Sequence, residues 1–107
     1  MRLSKIQIHN IVQGISPFIQ NTKAELRLFG SRVDDHAKGG DIDLLLIVWG
    51  QEALKHMLDV KYRMLSHIKK YMEDRKIDIT IALFAQIPLD PFLTSIFSTS
   101  IIVYEWK

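Results

Sequence analysis

The sequence contains no cysteine. That absence excludes disulfide stapling and any thiolate metal site, and it fits a reducing compartment, so the cytoplasm is the expected location. Long apolar runs are missing too. Leu44 to Trp49, the longest, falls far short of a bilayer span, and polar residues interrupt the apolar stretches after Met1. Neither a membrane helix nor a signal peptide is expected, and the protein should be soluble. There is no strong excess of one charge: 14 basic residues against 12 acidic leave a formal net charge of +2, too little to argue for a nucleic-acid partner. With no internal repeat and no break in composition, residues 1–107 are expected to form one domain around one core.

What is present belongs to a folded protein. An apolar fraction of 48% beside 24% charged residues supports a buried sheet face rather than disorder. Basic residues gather from Lys55 to Lys76 without a base-stacking motif, and they read as a solvated helix face. His9, His36, His56 and His67 show no paired metal spacing and read as surface or capping residues.

Periodicity orders the elements. Ile8, Ile11, Val12, Ile15 and Ile19 recur at helical spacing after a capping Ser4, predicting a helix over residues 4–21 that Pro17 kinks or restarts. Ala24 to Phe29 alternates as a strand ending at Gly30, and Ser31 to Gly40 is a polar loop. Ile42 to Trp49 is apolar enough to be a central strand covered on both faces. A helix follows from Gln51 to about Met72, with Leu54, Leu58, Tyr62, Leu65, Ile68 and Met72 as its apolar stripe. Lys76 to Phe84 alternates as a strand with a mixed face. Pro88 and Pro91 introduce a short helix to about Ser98, and Ile101 to Tyr104 is a last strand. The order αββαβαβ predicts an α+β sandwich, a small mixed sheet with helices packed on it. Trp49, Phe92, Phe97 and Trp106 suit either its core or an interface.

Polar residues stand out where apolar ones are expected. Asp41 and Asp43, two apart at the start of the central strand, emerge on one side of the sheet and repel each other. A cation held by oxygen ligands would neutralise them. Asp78, between Ile77 and Ile79, repeats the situation on a later strand, and if the strands are neighbours three carboxylates converge. Such a hard oxygen set suits Mg²⁺, which keeps waters and takes its other ligands from phosphates. Another reading of the same residues has Asp41 capping loop amides, Asp43 paired with a lysine or arginine, and Asp78 meeting Arg75 or Lys76. Gly30 and Ser31 add a close-approach position and a hydroxyl donor, a pair also common in plain turns.

Leu28-Phe29-Gly30-Ser31-Arg32 followed by Gly40-Asp41-Ile42-Asp43-Leu44-Leu45 resembles the signature of the polymerase-beta-like nucleotidyltransferase superfamily, with Asp78 in the third carboxylate place. The resemblance covers essentially the whole chain and is to the minimal, MNT-type members, which are typically encoded beside a HEPN-domain partner and can act as its antitoxin. Two departures are visible: nine residues separate Ser31 from Asp41, one fewer than the MNT antitoxins usually show, and Val33-Asp34-Asp35 replaces a common Ala-Arg-Gly. Asp34 and Asp35 add negative charge beside a triphosphate, offset in part by Lys38.

The resemblance implies a nucleotidyltransferase fold and a transfer of NMP, expected to be AMP from ATP, to a hydroxyl acceptor such as a tyrosine of the HEPN partner. Asp41 and Asp43 would bridge two Mg²⁺ ions about 4 Å apart, with Asp78 completing the site and serving as base. Gly30, Ser31 and Arg32 would hold the β and γ phosphates. A small-molecule acceptor would require a further binding surface, which the second subunit of a homodimer could supply. The competing class is a non-catalytic interaction module that binds and masks its partner.

Overall fold

The computed structural model describes residues 3–19, 21–30, 41–72 and 76–107. Its first helix, α1 (Lys5–Ile15), begins with a reciprocal capping box: Gln7 N–H donates to the Ser4 hydroxyl at 3.1 Å, and Ser4 N–H donates to the Gln7 side-chain oxygen at 2.9 Å. The expected helix to residue 21 stops earlier. Pro17 has no N–H to continue the ladder, and the chain tightens into a 3₁₀ turn, Ser16–Phe18.

The remaining elements are β1 (Ala24–Phe29), β2 (Ile42–Val48), α2 (Gln51–Lys69), β3 (Ile77–Leu83), a 3₁₀ segment (Phe84–Leu89), α3 (Pro91–Ser98) and β4 (Ile101–Trp106). The αββαβαβ order and the α+β class are as expected. Pro91 opens α3 as expected, in the first turn where a missing donor costs nothing, and Asp90 caps it, its Oδ1 accepting from the N–H groups of Phe92 and Leu93 at 2.9 and 3.2 Å; Pro88 lies in the preceding 3₁₀ segment. No helix among the described residues is long and apolar enough to cross a membrane.

The strands form one mixed sheet in the order β3-β2-β1-β4. β1 is antiparallel to both β2 and β4, whereas β2 and β3 are parallel and joined through α2. Central β2 has apolar cover on both faces, and Leu44 to Val48 are fully buried. On what we term the helical face, Leu26, Leu28, Ile42, Leu44, Leu46 and Ile79 pack with residues of α1 and α2. On the opposite face Leu45, Ile47 and Ala82 meet Ile87 of the 3₁₀ segment and Ile96 of α3.

Of the expected α2 stripe, Ile68 and Met72 are buried and Leu54 and Leu65 partly buried against the core, whereas Leu58 and Tyr62 lie off it. Met57, Val60, Met64 and Ile68 face the core, while Leu58 is 51% and Tyr62 83% exposed. At about 100° per residue Leu58 stands about 100° and Tyr62 about 140° round the helix from Met57, whereas Met64 and Ile68 stand within about 20° of it. Met57 and Met64 share that face with Val60 and Ile68, filling their part of it with unbranched chains. Gly14 sets how closely the two helices approach: a Cβ there would lie 2.6 Å from Ile68 Cγ1 and 2.9 Å from its Cα.

Two histidines of α2 secure the same junction. His67 Nδ1 lies 2.9 Å from the Gly14 carbonyl oxygen and His56 Nε2 3.2 Å from that of Phe18, so each ring meets a carbonyl near the end of a helical segment. His9 is exposed, and His36 lies outside the described residues. Among the aromatic residues left open between core and interface, Trp49, Phe97 and Trp106 are partly buried against the two clusters, whereas Phe92 is 59% exposed.

Candidate functional site

Parallel pairing brings the starts of β2 and β3 to one end of the sheet. Ile42 N–H donates to the Lys76 carbonyl at 2.9 Å, and the register sets Ile42 beside Ile77 and Asp43 beside Asp78. Residues at matched register point to the same face, so Asp43 and Asp78 emerge next to each other on the face opposite α1 and α2. Asp41, two residues before Asp43, lies just outside β2 at the mouth of the strands.

Antiparallel β1 ends at this same edge. Phe29 pairs with Asp43, and Gly30 follows with φ of +78°, a left-handed conformation that disfavours any residue with a Cβ. A Cβ on Gly30 would also fall 2.5 Å from Asp43 Oδ2. Its missing side chain is therefore what lets the carboxylate of Asp43 lie against the end of β1.

Burial separates the three carboxylates. Asp41 and Asp78 are exposed and Asp43 is half-buried. Burial, then the negative charges of Asp78 and Asp41, hold the Asp43 carboxyl above the usual carboxylate range, with Lys76 acting the other way. The Lys76 ammonium lies 3.9 Å from Asp41 Oδ2, with both side chains largely in solvent. The lysine thus meets Asp41, a different pairing from the one weighed on sequence grounds, where it met Asp78.

The donor set fits a hard divalent cation. It offers carboxylate oxygens only, and a half-buried carboxylate crowded by like charge is a group that a cation would relieve. The trio is an open row rather than a closed cage: among the described residues no three His, Asp or Glu side chains stand close enough together to enclose an ion. The sequence-predicted residues Gly30, Asp41, Asp43 and Asp78 meet at this edge. Ser31, Arg32, Asp34, Asp35 and Lys38 lie outside the described residues.

Behind the carboxylates, the next row of the same face contains Thr80, Leu45 and Arg27. The Arg27 guanidinium donates to Glu25 Oε2 and to Ser100 Oγ, each at 2.6 Å, and lies 4.3 Å over the ring of Phe97. It ties β1 to the end of α3 and the start of β4. The i, i+2 spacing of Glu25 and Arg27 in β1, which puts opposite charges on one face, is the sequence signal for this pair. Lys76 gave a weaker one, as a cation two residues ahead of a candidate ligand. A cavity of ≈ 610 Å³ beside Ser16, Asn21, Tyr104 and Trp106 and an apolar groove of ≈ 360 Å³ beside Phe84, Ile87 and Phe97 lie apart from the carboxylate row. The chain matches no known family model and no curated protein.

Proposed function

We propose that this chain is a divalent-cation-dependent nucleotidyltransferase of the polymerase-beta-like, MNT type. It moves a nucleoside monophosphate, AMP in the first instance, from a nucleoside triphosphate to a hydroxyl acceptor. One observation carries the reading: Asp43 and Asp78 stand at matched register on adjacent parallel strands, with Asp41 on the same chain two residues away and Gly30 against Asp43.

Asp41 and Asp43 would hold the cation, Mg²⁺ by the chemistry of the donors, with Asp78 completing the set. An ion bound there would supply positive charge against the phosphates and the attacking and leaving oxygens. Asp78 accepts the proton of the acceptor hydroxyl, a role that its exposure supports. The hydroxyl oxygen forms a bond to the α-phosphorus, the bond from that phosphorus to the β-bridging oxygen breaks, and pyrophosphate carries away the electron pair. Gly30 contributes a backbone N–H to the phosphates, joined by Ser31 and Arg32 on the evidence of the sequence motif alone. The acceptor proposed is a tyrosine of a HEPN-type toxin encountered in the cytoplasm, with transfer as the antitoxin act.

A non-catalytic module that masks its partner is favoured by one observation, the absence among the described residues of a ready-made ion cage. Incubating the protein with α-labelled ATP, Mg²⁺ and a HEPN partner, beside an Asp41→Asn/Asp43→Asn control, separates the two. Label on the partner, lost with chelation and in the control, supports transfer. Equal partner binding by both proteins with no label anywhere defeats the enzyme reading in favour of the masking module.

A further inference from the structure

Lys76 has a fixed backbone and a free head. Its carbonyl accepts from Ile42 N–H, anchoring the residue at the carboxylate end of β2 and β3, while its side chain is 77% exposed. The ammonium's contact with Asp41, at 3.9 Å, is too long for a firm hydrogen bond and too exposed to bind the side chain tightly. A solvent-exposed ammonium thus stands at the end of the carboxylate row.

A divalent cation on those carboxylates and an ammonium beside Asp41 would repel each other. We propose that Lys76 is the resident counter-ion of the carboxylate row, displaced from Asp41 when a divalent cation binds and then available to pair with a phosphate of the nucleotide. Lys76 is a positioning residue in this scheme: it competes with the cation for the protein and cooperates with it for the triphosphate. The competition needs only a cation site at the row, whereas the cooperation rests on the nucleotidyltransferase reading above.

Two affinities moving in opposite directions identify this exchange, and a merely structural lysine would move neither. Mn²⁺ binding to the full chain is measured without nucleotide, from the free-ion paramagnetic resonance signal. Binding of a non-hydrolysable ATP analogue is then measured by calorimetry at saturating Mn²⁺. Lys76→Ala should bind Mn²⁺ about fivefold more tightly, the weight of one unit charge at this separation in a high dielectric, and the analogue severalfold more weakly. Lys76→Arg should return both values toward the parent. Mn²⁺ affinity that is unchanged or weakened in Lys76→Ala, beside a parent whose binding is abolished by Asp43→Asn, overturns the exchange and leaves the site reading standing. Tighter Mn²⁺ with unchanged analogue binding overturns the second half of the proposal. A parent that binds no Mn²⁺ overturns the exchange and the cation site together.

Discussion

The two faces of the sheet are written in alternate residues of the same strands. On the helical face Leu26, Leu28, Ile42, Leu44, Leu46, Val48, Ile77 and Ile79 are apolar from one strand end to the other, with α1 and α2 as cover. On the opposite face the apolar residues Leu45, Ile47 and Ala82 lie under Ile87 and Ile96, and at the edge where β2 and β3 begin they give way to Asp43 and Asp78. The difference shows a division of labour. Apolar area removed from water supports the chain mainly through the helical face, and where the cover on the other face ends, charge can be tolerated and used. Truncation should therefore cost unequally. Leu46→Ala, at a fully buried position, is expected to lose about 2–5 kcal/mol, with Ile96→Ala near the lower end of that range because its site is 8% exposed and can collapse more easily. Urea midpoints compare the two, and a larger loss at Ile96 would reverse the ranking of the faces.

A second contrast lies within the face opposite α1 and α2, between charges that are satisfied and charges that are crowded. Arg27 is satisfied by Glu25, Ser100 and the ring of Phe97. Arg27→Met removes a charge-assisted pair and leaves Glu25 alone, which should destabilise by about 1.5–3 kcal/mol. Adding Glu25→Gln should recover part of that loss, and a double variant no better than the single would show that the pair is not coupled. Gly30→Ala touches the crowded group. The left-handed backbone alone should cost about 1–2 kcal/mol, and the new methyl must push Asp43 aside, so Mn²⁺ affinity should fall along with stability. A stability loss with unaltered Mn²⁺ binding would separate Gly30 from the carboxylate row.

Much of this was legible in the sequence because the signals were strong and local. The unbroken apolar run of β2 implied burial on both faces, and Asp41-x-Asp43 and Ile77-Asp78-Ile79 broke otherwise apolar strands at the positions that the sheet brings together. Sequence could say that Asp43 and Asp78 share a face only on the condition that β2 and β3 are neighbours, since register is a tertiary fact. The stripe of α2 is legible at Ile68 and Met72 but not at Leu58 and Tyr62, which suit a helix face as well as Met57 and Met64 do; the contact with α1 through Gly14 decides which face is inside. Arg27 escaped notice because its value comes from Ser100, 73 positions along the chain.

The smallest expected effect tests the crowding directly. The Asp43 carboxyl titrates above its unfolded value, so the folded chain favours the protonated form. That preference contributes stability that is fully present below the unfolded carboxylate range and is lost as pH rises through the raised folded value. At pH 7 the ionised group is consequently a net burden when no cation is bound. Asp43→Asn cannot ionise, and it should melt at a higher temperature than the parent at pH 7 in chelator, with the gap narrowing as pH falls through the raised value and vanishing below the ordinary carboxylate range. Mg²⁺ at pH 7 should raise the parent's melting temperature and leave the variant's unchanged, closing the gap from the other side by mass action. If the variant melts lower than the parent at pH 7 in chelator, Asp43 is a carboxylate that the fold itself needs, and the contrast between satisfied Arg27 and crowded Asp43 disappears.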